Sequence, residues 1–121
     1  MKAEEIRIGN WIKDMRADKC FEVISRDIED VDYSNENYEG IPLTPQILEA
    51  CGFKGDDSKN DYEFMYLHLK NYNDYESWIV TKNGYDINPG MPLLKSLHQL
   101  QNFYFAFTGN ELEVSLHIEA L

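Results

Sequence analysis

The segment between Ser96 and Gly109 constrains the fold more than any other part of the sequence. Ser96 and Gln99 have the spacing of a capping box, in which each side chain can accept a hydrogen bond from a backbone N–H at the start of a helix. Gly109 can adopt the left-handed conformation that ends a helix. The sequence therefore predicts a helix over residues 97–107. At 100° per residue its broad apolar face consists of Leu97, Leu100, Phe103, Tyr104, Ala106 and Phe107.

A second, shorter helix is marked by the residues at its two ends. Thr44 can cap its start, and Pro45 suits the first helical position, where no backbone N–H is needed. Gly52 can take the left-handed conformation after its last residue. Leu43 and Phe53 flank these caps, and both can pack against the inner face of the helix. A helix of about two turns is predicted here.

The remaining apolar residues form short runs that are typical of strands. Strands are predicted around residues 6–8, 20–25, 28–33, 62–69, 78–81, 85–87 and 112–118. The run 62–69 has large residues on both faces, which favours a central strand, and Asn83-Gly84 favours a hairpin between the two that follow. With 121 residues, the chain is predicted to be a single α+β domain over residues 1–121, mainly an antiparallel curved sheet with two short helices.

The charge of the chain limits what it can bind. There are 11 Lys and Arg residues against 22 Asp and Glu residues, a formal net charge of −11. Such a surface repels phosphate backbones and anionic lipids, so direct binding to nucleic acid or to a membrane is not expected. No run approaches the ~20 apolar residues of a membrane span, and the first residues do not form an apolar leader. A cytoplasmic location is therefore expected.

Residue patterns for catalysis, cofactor binding or metal binding do not stand out. The acidic run that starts at Asp30 begins like a calcium loop but has Asn35 where the glycine belongs and Ile41 where the bidentate glutamate belongs. The three histidines are not at ligand-type spacings, and Cys20 and Cys51 are expected to be reduced thiols. No catalytic, cofactor-binding or metal-binding residue is predicted. The sequence leaves open whether the protein is an enzyme, and it favours a protein that is not.

One stripe of the long helix suggests an interaction surface. His98, Gln101, Asn102 and Phe105 lie at positions i, i+3, i+4 and i+7, opposite the predicted apolar face. An aromatic ring among polar side chains is a common place for a partner to pack. The alternative is that another part of the same chain covers Phe105 while Gln101 and Asn102 bond to backbone groups.

Three blocks of the sequence resemble a group of small uncharacterised proteins from bacterial genomes, phages and mobile elements. The blocks are residues 6–11, residues 41–44 with 51–53, and residues 97–109 followed by Glu111 and Leu112. Members of this group begin with RIGN and end in an HQLQNLYFALTG-type helix. Phe103 and Phe107 stand where the group typically has leucine. The resemblance implies a single domain of this organisation and no particular activity, because the group has no established function.

Three hypotheses about function follow. The first is a non-enzymatic cytosolic module that binds an unknown protein partner, because recognisable chemistry is lacking and the stripe combines polar and aromatic residues. The resemblance adds a phage or mobile-element origin for this module. The alternative is an acidic protein that imitates nucleic acid and occupies a basic DNA- or RNA-binding protein. The third is a small enzyme whose residues are assembled from distant elements. Association of the chain with itself is compatible with all three.

Overall fold

The computed structural model describes residues 1–56, 61–64, 67–71, 78–81 and 93–115. The helices and strands, in chain order, are β1 (Trp11–Asp14), β2 (Lys19–Glu22), α1 (Ser25–Tyr33), β3 (Tyr38–Gly40), α2 (Pro45–Ala50), β4 (Lys54–Asp56), β5 (Asp61–Phe64), β6 (Leu67–Lys70), β7 (Trp78–Thr81), β8 (Leu93–Leu94) and α3 (Leu97–Thr108). All strand pairs are antiparallel, and the chain is an α+β protein, as predicted. No helix in this part of the chain is long and apolar enough to cross a membrane.

The chain divides into two compact units. Among the described residues, unit 1 consists of residues 1–42 and 96–112, and unit 2 consists of residues 43–95 and 113–115. The prediction of one domain over residues 1–121 stays a prediction.

Unit 1 is built on a three-stranded sheet with β1 in the centre, between β2 and β3. Ile12 lies at the middle of this sheet, where it is opposite Phe21 of β2 and Gly40 of β3. The buried residues of its core cluster are Ile6, Ile12, Val23, Val31 and Tyr38, with Met1, Ala3, Phe21 and Ile28 packed against them. Ile12 has no exposed surface, so the central strand β1 packs into this core. Ile6, from the segment before β1, belongs to the same core.

Two predicted strands of unit 1 are wrong. Residues 25–33 form helix α1, not the strand predicted over 28–33, and Asp27 accepts a hydrogen bond from the backbone N–H of Ile24 at 2.8 Å. Ile28 and Val31 turn the same way because they are three residues apart, which an alternating interpretation of this acidic segment overlooks. Residues 6–8 form no strand either: a 3-10 turn at Ala3–Glu5 precedes them, and Ile6 is buried while Ile8 is exposed.

Helix α2 of unit 2 confirms the prediction made from its caps. The Thr44 hydroxyl accepts the backbone N–H of Ile47 at 3.2 Å, and Pro45 takes the first helical position. At the other end, the N–H of Phe53 donates to Leu48 at 2.9 Å and the N–H of Gly52 donates to Glu49 at 3.0 Å. These two bonds form a Schellman motif around Gly52, whose φ is +93°.

Unit 2 also holds a five-stranded sheet in the order β4-β5-β6-β7-β8. Its strands β5 and β6 correct the prediction of one strand over residues 62–69, since they pair with each other, with Tyr62 opposite Leu69 and Phe64 opposite Leu67. Tyr62 is buried on β5, whereas Leu67 and Leu69 are buried on β6, so the buried positions change from even to odd numbers. Such a change is typical of a reversal in chain direction. Residues 54–61 are rich in Gly, Asp, Ser, Lys and Asn, which predicts a loop, but Lys54–Asp56 forms strand β4 instead.

The strand predicted over residues 78–81 is confirmed as β7, which pairs with β6 and β8. The indole N–H of Trp78 donates to the carbonyl oxygen of Leu43 at 2.9 Å, so this buried aromatic also satisfies a backbone acceptor. The predicted hairpin through Asn83 and Gly84 and the strand over 85–87 lie outside the described residues.

The strand predicted over residues 112–118 is wrong for its described part. Residues 111–115 have no strand pairing, although Leu112 is buried and its neighbours Glu111 and Glu113 are exposed. The N–H of Ser115 instead donates to the carbonyl oxygen of Ala50 at 2.8 Å. Alternation of apolar residues reports which side chains face the interior, and it does not guarantee a neighbouring strand. Residues 116–118 lie outside the described part.

Alanine substitutions at two glycines separate the effect of the left-handed (αL) backbone conformation on stability from the effect of local packing. Gly109 has φ +75° and open space where a Cβ would be, whereas a Cβ on Gly52 would lie 3.1 Å from Cε2 of Phe64. We expect Gly109→Ala to lower the free energy of unfolding by about 1 kcal/mol through backbone strain. Gly52→Ala should lower it by about 2 kcal/mol because the ring must also move. Urea denaturation of both variants measures this, and equal losses would contradict the packing contribution.

Candidate interaction surface on helix α3

Helix α3 begins and ends close to where the sequence predicts. The side-chain oxygen of Gln99 accepts the backbone N–H of Ser96 at 3.3 Å. The N–H of Gly109, which has the left-handed conformation, donates to Phe105 at 2.8 Å. The helix includes Thr108, one residue beyond the predicted end, and the Thr108 hydroxyl donates to the carbonyl oxygen of Tyr104 at 2.8 Å.

The buried side of α3 differs from the predicted apolar face. Its buried residues are Leu97, His98, Leu100, Gln101 and Tyr104. Ala106 and Phe107 are exposed, so the prediction that they are buried is wrong. The reason is that Gln101 has hydrogen-bond partners inside unit 1, so this polar residue lies in the middle of the buried arc. Residues 105, 106 and 107 are all exposed, and we call them the α3 tip.

Gln101 joins the helix to the N-terminal segment through two backbone groups. Its Oε1 accepts the N–H of Trp11 at 2.8 Å, and its Nε2 donates to the carbonyl oxygen of Gly9 at 3.0 Å. One amide side chain thus replaces the two bonds that a neighbouring strand would supply at the entry to β1. Gln101 is buried and its two bonds are partly buried, so loss of either would leave a polar group of low exposure without this partner.

Asn102 makes a second set of bonds to the same segment. Its Oδ1 accepts from Nε of Arg7 at 2.8 Å and from Nδ2 of Asn10 at 2.9 Å, and its Nδ2 donates to the carbonyl oxygen of Glu5 at 3.1 Å. Asn10 has no exposed surface, and its own Oδ1 accepts the backbone N–H of Arg7 at 2.7 Å. The bend at residues 7–10 is therefore held by one connected network.

His98 is buried at the first turn of α3. Its Nδ1 lies 3.0 Å from the Ser96 hydroxyl oxygen, and the backbone of Gly40 packs against the ring. Burial lowers the pKa of His98 below its ordinary value of 6.5, an effect that the nearby Glu5 carboxylate opposes in part. Like Gln101, this residue is not available to a partner at the surface.

Phe105 is the exposed member of the predicted stripe, with 41% of its surface accessible. The guanidinium carbon of Arg7 lies 4.5 Å from the centre of the ring, within the range of a cation–π contact. The Nη1 and Nη2 atoms of Arg7 also donate to the two carboxylate oxygens of Glu111, at 2.7 and 3.3 Å. The ring is thus held on one side by an arginine whose orientation Glu111 fixes.

The structure therefore divides the four residues of the stripe. It places His98, Gln101 and Asn102 in contacts within unit 1, and Gln101 and Asn102 bond partly to backbone groups, as the alternative interpretation expected. Binding of a partner at Phe105 stays a prediction. Arg7 and Asn10, which complete the network, were not among the predicted site residues. They belong to the RIGN block over residues 6–11, which by itself does not indicate a contact with α3.

A second polar cluster lies elsewhere in unit 1. The Tyr38 hydroxyl donates to the Asp30 carboxylate and accepts from Nη2 of Arg16 at 2.7 Å. Arg16 also pairs with Asp14 at 3.2 Å. Burial, followed by the bond to Asp30, raises the pKa of Tyr38 from 10.0 to about 12. Asp30, the first residue of the calcium-like run, thus takes part in a structural cluster.

Unit 2 contains a histidine that faces two acids. Nε2 of His68 bonds to the Asp61 carboxylate, and its Nδ1 lies 3.8 Å from an oxygen of Glu63. Across the described ranges, no group of three or more His, Cys, Asp or Glu residues is arranged to hold a metal ion. This cluster ties β5 to β6 across the hairpin.

We expect Gln101→Leu to lower the free energy of unfolding by about 3 kcal/mol, because it leaves the Trp11 N–H and the Gly9 carbonyl oxygen without partners. Gln46→Leu, at an exposed position of α2, is the matched control and should change stability by less than about 0.5 kcal/mol. Chemical denaturation followed by tryptophan fluorescence checks both. A loss as small as that of the control would contradict the role assigned to Gln101.

The Tyr38 cluster predicts a loss of stability at alkaline pH. Because the phenol ionises at about pH 12 in the folded chain but at 10.0 when unfolded, its contribution is complete below pH 10.0 and is lost as the pH rises toward 12. We expect the free energy of unfolding to fall more steeply over this range in the wild type than in Tyr38→Phe. Denaturation curves at a series of alkaline pH values measure the difference, and parallel curves would contradict it.

In comparisons with known proteins, no family model, no curated protein and no solved structure matches this chain. The resemblance to the RIGN group accordingly stays a prediction. A proposal about function therefore rests on the α3 tip and on Arg7, which contacts Phe105.

Proposed function

We propose that this protein is a non-enzymatic interaction module that binds a protein partner through the α3 tip and through Ile8, the residue that follows Arg7 in the chain. The observation that carries the proposal is the position of Phe105, which Arg7 holds at the surface of unit 1. A location in the bacterial cytoplasm and an origin in a phage or mobile element belong to the same proposal and rest on the sequence.

The exposed apolar residues of this region support the proposal. Phe107 is 55% exposed and Ile8, next to Arg7, is 60% exposed. Phe107 stacks on Phe103, with ring centres 6.1 Å apart and planes within 9° of parallel. Aromatic rings that are already held in place lose little conformational entropy on binding, and such residues often carry most of the energy of an interface.

The charge of the chain indicates the kind of partner. The guanidinium of Arg7 is paired with Glu111, and Glu4, Glu5 and Glu111 are exposed on the same unit. Together with the net charge of −11, this favours a partner that presents an apolar pocket within a basic surface. The aromatic tip would fill the pocket, and the acidic residues would speed the encounter and exclude other acidic proteins.

The proposal is tested by capture of a partner from bacterial lysate, followed by binding titrations with the purified partner. We expect Phe105→Glu and Phe107→Glu each to weaken binding at least about tenfold, as is usual for a central aromatic contact. Tyr33→Glu, on α1 and 89% exposed, adds the same charge away from the tip and should leave affinity unchanged. Circular dichroism confirms that each variant folds.

Three outcomes of this experiment would contradict the proposal. The first is a partner that binds all three variants equally. The second is a partner that Tyr33→Glu alone releases, which would place the interface on α1. The third is self-association of the wild type that Phe105→Glu abolishes, measured by light scattering without lysate, which would make the tip a contact between copies of this chain.

A second candidate, imitation of nucleic acid, is favoured by the charges of α1. Glu29, Asp30 and Asp32 are exposed near its C-terminal end, and its last turn contains no basic residue. Acidic side chains are unfavourable at this end of a helix because the macrodipole is negative there. In the same titrations, affinity that falls steeply between low and physiological salt and competes with DNA would favour this candidate.

A further inference from the structure

His98 is a buried ionisable residue that the proposed interaction surface does not use. It lies where the chain leaves unit 1 after Pro42 and returns to it at Ser96. The N–H of Leu97 donates to the carbonyl oxygen of Ile41 at 2.8 Å, and Pro42 and Ser96 form an isolated antiparallel bridge. We call this contact between the end of β3 and the start of α3 the β3–α3 junction.

The junction leaves no space around the imidazole. A Cβ on Gly40 would lie 2.9 Å from Cε1 of His98 and 2.6 Å from Cβ of Ser96, so the bare backbone of Gly40 is what allows this approach. His98 itself is 4% exposed. Water can therefore solvate the ring only if an element packed against it moves, and the end of β3 is one such element.

Protonation conflicts with this arrangement for three reasons. When the Ser96 hydroxyl donates to Nδ1 in their 3.0 Å contact, protonation of Nδ1 puts a second hydrogen between the two atoms, and the hydroxyl hydrogen must turn elsewhere. Burial penalises a charge that lacks water. The first turn of a helix is also the positive end of its dipole, which repels a cation.

Among the described residues, two charged groups from other elements act on His98. Glu5, from the turn at Ala3–Glu5, favours the imidazolium, and the amino group of Met1 opposes it. From β3 the ring meets Gly40, which has no ionisable side chain. The penalty of burial is the largest influence, so the folded junction keeps the imidazole neutral and the pKa of His98 stays below 6.5.

We propose that His98 is an acid-sensitive latch, and that protonation of its imidazole opens the β3–α3 junction of unit 1. The contribution of the neutral ring to stability is complete above pH 6.5 and is lost as the pH falls below that value, since the opened chain takes up a proton that the closed junction excludes.

Amide hydrogen exchange measured by NMR tests the latch on the full chain. The Leu97 amide reports the junction, and the Val23 amide, which donates to Asn10 at 2.8 Å in the same unit, is the reference. After correction for intrinsic exchange rates, we expect protection of Leu97 to fall at least about twofold relative to Val23 between about pH 7.5 and pH 5. In His98→Asn, which places an amide atom near the position of Nδ1 and cannot be protonated, the ratio should not change.

The idea fails if protection of Leu97 is independent of pH in the wild type, or if it falls equally in His98→Asn. It also fails if the imidazole of the folded wild type, followed by its proton resonances, titrates at or above 6.5, the ordinary value. This last measurement needs no variant, so a His98→Asn chain that does not fold would leave the latch fully testable.

Discussion

The two amide side chains of α3 are the contact on which unit 1 depends. Gln101 satisfies backbone groups of Gly9 and Trp11, and Asn102 accepts from Arg7 and Asn10 and donates to Glu5. Trp11 is the first residue of β1, and β1 is the central strand to which β2 and β3 both pair. The amides therefore fix where the N-terminal segment meets the helix, and the strand register follows from that position. Apolar contacts alone would tolerate a shift, whereas buried hydrogen bonds do not.

Arginine organises the charges of unit 1 in a similar way. Arg7 contacts Phe105, Asn102 and Glu111, and Arg16 contacts Tyr38, Asp14 and Asp30. The planar guanidinium can donate to several acceptors and stack on a ring at the same time, which the ammonium of lysine cannot do. With 22 acidic residues and 11 basic ones, many carboxylates stay uncompensated, and their field extends into solvent. A few fixed cations thus stabilise the fold while the surface as a whole stays acidic.

The limits of prediction are clearest where one local pattern permits two structures. The caps of α2 and α3 were recognisable because Thr44, Gly52, Ser96 and Gly109 satisfy backbone groups within a few residues of themselves. Helix α1 was missed because its acidic and apolar residues fit two periods almost equally well. The β5–β6 pair was interpreted as one strand because the shift in alternation between Phe64 and Leu67 is a single step. The four residues of the candidate stripe lie on α3, but the burial of His98 and Gln101 was not predictable from α3 alone.

The sequence by itself determined the α+β class, the ends of two helices, the acidic charge and the positions of Gln101, Asn102 and Phe105 on one side of α3. These depend on residues close together in the chain, or on composition. Only the tertiary structure decided that Gln101 is an interior residue, that Phe105 is exposed beside Arg7 and that His98 is enclosed by Gly40. Each of these joins residues more than fifty positions apart. No local propensity encodes such a contact, because burial of a polar group is favourable only when its distant partner is already in place.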